Sequence, residues 1–325
     1  MFWIAALSYF PTANAVALNL PERSFLQRPS NSSVADFANV TSLSEFSNPR
    51  FNAQIDFGNV LLRPTSMLMN GVEALATLAL KDQTARSSGA QFHAEGYPDV
   101  VIDIEPQQPA TDVLNEIMLL CIFFGMDRVI REREYRNAKV LCFWDNVVVA
   151  QVLFERPGYQ SSANTTDVLS PTAESPRGSG NISSLITTTN DTLLEAVTPR
   201  FYFRPDSQSL PTPNVFGTVI TVLLAFAYLP NTDPVEAYTV VRTGAEWDVS
   251  MLFEPTLIRT RPPYFEYRWA IETVRQMPGF LLQQGRSAEL SIGVIVDGVH
   301  VGNALLEKGE PNDLVEKAGE AVVRV

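Results

Sequence analysis

An internal repeat constrains this chain more than any other feature. The stretch "DVVIDIEP" from Asp99 returns as "DVSMLFEP" from Asp248, 149 residues later. Pro49-Arg50-Phe51 returns as Pro199-Arg200-Phe201, 150 residues on, and "FWDNVVVAQVLFER" from Phe143 matches "IVDGVHVGNALLEK" from Ile295 at a spacing of 152. Three anchors in one order at nearly constant spacing predict a tandem duplication, which sets the architecture before local propensities are weighed. A chain of 325 residues has room for two units, because single cores stop growing at about 250–300 residues. The expected boundaries are repeat 1 over 49–158 and repeat 2 over 199–309. Between them runs a Ser/Thr-rich linker, 159–198, and they are flanked by a segment 16–48 and a tail 310–325, all poor in periodicity.

Duplication lets each element be read twice. "RPTSMLMNGVEALATLAL" from Arg63 occupies the place of "PTPNVFGTVITVLLAFAYL" from Pro211. Both have Pro early and apolar residues throughout, which predicts a buried helix. The run Asn214 to Leu229 is shorter than the ~20 residues a bilayer requires, and its counterpart carries Asn70 and Glu73, so no stable membrane span is expected. Val100, Ile102 and Ile104 alternate with Val101, Asp103 and Glu105, a strand pattern that Pro106 and Pro255 end. A second helix is expected from Thr111 to Glu134 and from Pro263 to Gln284, the latter broken near Pro278-Gly279.

A hairpin closes each copy. Asp145-Asn146 and Asp297-Gly298 suit a two-residue turn in which both residues take positive φ. Uninterrupted alternation then places Leu141, Phe143, Val148, Ala150, Val152 and Phe154 on one face, and Val140, Cys142, Trp144, Val147, Val149 and Leu153 on the other. Both faces are apolar, so both need cover. The predicted fold class is therefore α+β: two β-α-β-α-β-β units packed as an internal pseudo-dimer in a layered helix/sheet sandwich. Sheet meets sheet between outer helices, or the strands merge into one sheet.

The remaining signals concern the compartment. "MFWIAALSYFPTANAVALNL" has an apolar run followed by Ala13-Asn14-Ala15, the small-x-small pattern that ends a signal peptide, here 1–15. Asn-x-Ser/Thr acceptors stand at Asn31, Asn39, Asn164, Asn181 and Asn190, all in the polar segments, where a glycan is tolerated. Together they predict a eukaryotic, extracellular glycoprotein. Cys121 and Cys142 are the only cysteines, too few for a disulfide scaffold or a zinc site. An oxidising compartment would let them form a disulfide, but on the register above Cys142 faces away from the helix layer carrying Cys121.

A net charge of −12 excludes a nucleic-acid partner, whose backbone is bound by neutralising phosphates. The motifs call for no cofactor and no metal: no Gly-x-Ser-x-Gly elbow, dinucleotide fingerprint or calcium loop is present. His93 lies in a polar loop and His300 replaces Val148 on the hairpin, neither beside a nucleophile. The carboxylates Glu105 and Glu254 end equivalent strands. If a pseudo-two-fold brought them together they would form the acid–base pair that glycoside hydrolysis uses. Tyr97, Trp247 and Trp269 are candidate aromatic contacts for a ligand. The function expected is a binding or structural role outside the cell, with an extracellular protein or glycan as partner; the alternative is a carboxylate-dependent hydrolase acting on glycans.

Overall fold

The computed structural model describes residues 47–107, 111–158, 197–236, 239–242, 248–256 and 261–309, with the strands Leu18–Asn19 and Asn39–Val40 from the N-terminal segment. In the first copy β1 (Phe51–Leu61) leads to α1 (Pro64–Ala79), β2 (Ala90–Phe92) and β3 (Val101–Pro106). Then come α2 (Asn115–Glu132) and the hairpin β4 (Arg136–Trp144) with β5 (Val147–Glu155). The second copy repeats this order: β6 (Val197–Phe203), α3 (Thr212–Ala227), β7 (Thr239–Arg242), β8 (Val249–Pro255), α4 (Tyr267–Gln283), β9 (Leu290–Val296) and β10 (Val299–Lys308). Each main sheet thus holds one short strand, β2 or β7, beyond the four expected, and copy one adds a separate two-residue pair, Arg86–Ser87 with Val113–Leu114.

Both sheets have one topology. The first runs β1-β4-β5-β3-β2 and the second β6-β9-β10-β8-β7, every one of these pairs antiparallel. Asn39–Val40 adds a parallel strand beyond β7. Register tests the sequence anchors directly. Asp103 pairs with Leu153 and Leu252 with Leu305, so the Asp99 and Asp248 stretches are equivalent. Pro-Arg-Phe is not: Ile55 and Phe201 face the matched residues Val140 and Ile292. Phe201 therefore stands where Ile55 stands, and the match at Phe51 has slipped by four residues. An amphipathic strand tolerates such a slip in sequence because its period is two.

The hairpin turns form as expected, with φ of 51° and 65° at Asp145 and Asn146, and 49° and 77° at Asp297 and Gly298. The faces do not. Val148 pairs with Phe143 but Ala150 pairs with Cys142, so Val149 is an extra residue, a β-bulge that shifts alternation by one. Val301 does the same in copy two, between the pairs Ile295–His300 and Val294–Gly302. Val140 and Cys142 therefore share the buried face with Ala150, Val152 and Phe154. Cys142 points at α2, and its sulfur is bonded to that of Cys121 across a Cα–Cα distance of 6.1 Å. The register that turned Cys142 away from Cys121 is corrected by this one inserted residue.

The bulge also explains the repeated Glu-Pro. Pro106 and Pro255 pair with Ala150 and Gly302 beside the bulge, where a strand tolerates a residue that cannot donate. The next N–H, of Gln107 or Thr256, donates to the bulge carbonyl of Val149 or Val301 at 3.0 and 2.9 Å. Gly302 must be glycine: a Cβ there would lie 2.4 Å from Phe265 and 2.8 Å from the carbonyl of Glu254.

The layers are ordered opposite to expectation. Each sheet carries its own helices on one face, and the helices of the two copies pack on each other, α1 against α3 and α4, and α2 against α3. The order is sheet, helix pair, helix pair, sheet. One continuous apolar core fills it. α3 is buried from Val215 to Ala227 because its own sheet lies on one side and α1 and α2 on the other, which accounts for a helix apolar all round. No described helix is long and apolar enough to cross a membrane. α4 runs unbroken through Pro278; the missing donor is outweighed by burial of Ile271, Val274, Met277 and Leu281 on its inner face. Across the copies, the Arg275 guanidinium donates to both oxygens of Glu73, at 3.0 and 2.9 Å, and also pairs with Glu272.

Candidate functional site

Glu105 and Glu254 do not meet. Ile104 and Phe253 beside them are core residues, so alternation turns both carboxylates outward, one on each sheet, with four helices between the sheets. The seam that would have joined them is filled by helices, and the paired-carboxylate reading of Glu105 and Glu254 falls with it. Glu105 instead accepts a hydrogen bond of 2.8 Å from Gln151 on the adjacent strand.

The aromatic candidates do not form a platform either. Tyr97 packs against the core of copy one, with its carbonyl accepting from Asn70 Nδ2 at 3.1 Å. Trp269 is buried in the first turn of α4 under the Arg268 guanidinium, 4.1 Å from its ring centroid. Its indole nitrogen meets no hydrogen-bond partner among the described residues. Trp247 lies outside the described residues, as do the acceptors Asn31, Asn164, Asn181 and Asn190. Asn39, expected in irregular chain, instead begins the strand that pairs with β7. His93 is exposed on its loop, and His300 stands on the outward face of the second sheet, its Nε2 2.9 Å from Asn303 Oδ1. No group of His, Cys, Asp and Glu suited to a metal occurs among the described residues.

What the fold does present is a sheet face that no helix covers among the described residues. On the first sheet Leu141, Phe143, Val148 and Leu153 point outward and are half-buried. Beside them Leu153 pairs with Asp103, and Gln151 with Glu105, while Glu155 continues the row along β5. Burial, then the neighbouring Glu105, pushes the Asp103 carboxyl above its ordinary range. Burial, then Asp103 and Glu105, does the same to Glu155. Three carboxylates thus crowd one end of an aliphatic strip. Lys139 lies across from Leu153, and Asp56 across from Lys139.

The second sheet handles the same positions differently. Leu252 replaces Asp103, and Glu307, the equivalent of Glu155, is 3% exposed and ion-paired with Arg204. Arg204 follows Phe203 as Gly58 follows Phe57, and Phe203 and Phe57 face the matched residues Leu290 and Ala138. Copy one therefore has a glycine where copy two has the arginine. Sequence pattern missed this site because the outward face depends on the bulge; the signal available was Glu155 lying over Glu307 in the repeat. A separate apolar cleft of about 350 Å³ opens between Pro234, Pro255, Tyr264 and Phe265 in copy two.

No family model and no curated protein matches the chain. Among solved structures, the tandem DUF26 ectodomain from the Arabidopsis thaliana cysteine-rich receptor-like protein PDLP5 is similar to it at 9% identity and a TM-score of 0.19. That similarity covers 79% of this chain and 98% of the other.

Proposed function

We propose that the chain is a secreted, N-glycosylated, two-repeat protein that binds a partner outside the cell and carries out no chemistry of its own. The observation that carries the binding reading is the half-buried outer face of the first sheet, where apolar side chains and carboxylates share a surface that no described helix covers. The extracellular reading is supported by the apolar start ending in Ala13-Asn14-Ala15, by five sequons, and by use of both cysteines in one disulfide, a bond that persists in oxidising compartments.

Expression of the whole chain in a eukaryotic host tests it. The protein is expected in the medium with a new N-terminus at Val16, and its electrophoretic mobility should increase on enzymatic removal of N-glycans. Retention in the cell with an intact Met1 and no mobility change would refute the reading.

A further inference from the structure

The geometry points to a basic, amphipathic protein segment in extended conformation as the partner of the first sheet's outer face, docked along Asp103, Glu105 and Glu155 and the strip Leu141, Leu153. The inference rests on the binding reading above and gives the partner its chemistry.

Comparison of the two copies carries it. The sheets are superposable in topology and register, so each outward position in copy one has a counterpart in copy two. In copy two the chain supplies its own cation: Arg204 pairs with Glu307, which is buried. In copy one Gly58 stands at the place of Arg204, while the acidic charge has grown, with Asp103 in place of Leu252 beside the retained Glu105 and Glu155. Among the described residues no Lys or Arg bonds to these three carboxylates. Like charges are thus held together on a half-buried face with the intramolecular counter-charge removed, a surface complementary to an external cation.

The shape of the site selects the class of cation. Asp103 and Glu105 are two residues apart on one strand, hence ~7 Å apart and on one face. Lys or Arg side chains at alternate positions of an extended peptide have the same spacing. Across β5, β4 and β1 the outward rows beside the carboxylates read Leu153, Lys139, Asp56 and Gln151, Leu141, Gln54, so Leu153 and Leu141 offer apolar contact to alternate side chains of such a segment.

The test uses the full-length, oxidised protein and fluorescent peptides of alternating Lys-Leu and alternating Glu-Leu, read by anisotropy. Wild type should bind the Lys-Leu peptide and not the Glu-Leu one. Asp103→Asn with Glu155→Gln should raise Kd by about tenfold or more, a change worth ~1.4 kcal/mol, with a melting temperature no lower than wild type as the folding control. Glu254→Gln, on the opposite sheet, should leave Kd unchanged. Binding should weaken with added salt. It should weaken also as pH falls, because the raised carboxyls of Asp103 and Glu155 take up protons before ordinary carboxylates do, with Glu105, Asp56 and Lys139 on the same face and His93 just beyond β2. Equal affinity for the Asn/Gln variant, or equal binding of the Glu-Leu peptide, would overturn the proposal. So would preferential binding of a chitosan oligomer dependent on the same two carboxylates. A chain that is retained in cells yet binds the Lys-Leu peptide would refute secretion and leave this inference standing.

Discussion

Cys121 and Cys142 tie the middle of α2 to the centre of β4, 21 residues apart and both fully buried. Closing a loop of that size restricts the unfolded chain by about 3 kcal/mol. Copy two does without it: Val294 stands in place of Cys142, and Thr273, at the position of Cys121 counted from the helix start, hydrogen-bonds the carbonyl of Trp269 at 2.7 Å. Replacing both cysteines by Ala should therefore lower stability by about 3 kcal/mol without abolishing the fold. Urea unfolding of the variant, compared with wild type with and without reductant, checks this; an unchanged midpoint would show that the bond contributes nothing. The single residue that decides the site is Gly58, whose lack of a side chain leaves Glu155 without the arginine that its equivalent Glu307 receives.

At the scale of elements, the hairpin shows what a pattern can and cannot say. Its strands and both turns were legible, because Asp, Asn and Gly at positive φ report local backbone geometry. Its inward face was not, because the chain is apolar on both faces and the bulge at Val149 has no composition of its own. The bulge requires an extra residue, not a valine. Deleting Val149 should leave Val148 facing Phe143 and Ala150 facing Cys142, with Val152 and Phe154 still inward, but it removes the carbonyl that accepts from Gln107 N–H beside Pro106 and should lower stability by about 1–3 kcal/mol. Val149→Ala should stay within about 1 kcal/mol of wild type. Thermal melts and size exclusion on the two variants separate these outcomes, and a deletion variant that melts like wild type would sink the account.

At the scale of the molecule, helices rather than sheets join the copies, so each copy has an apolar helical face that only its sister covers. Repeat 1 expressed alone, residues 49–158, should be recovered as a dimer or aggregate, since α1 and α2 would expose the surface that α3 fills. A monomer with a cooperative melt by light scattering and calorimetry would contradict this. The sequence by itself determined the duplication, the two helices of each copy, the hairpins and the end of the Asp-Val strands, all of which rest on local periodicity or turn chemistry. Only the tertiary structure decided that the helices lie inside, that Cys142 meets Cys121, and that Glu105 and Glu254 look away from each other. Those outcomes turn on one inserted residue in a strand and on which of two apolar faces finds cover, and neither choice is written in the alternation of the residues themselves.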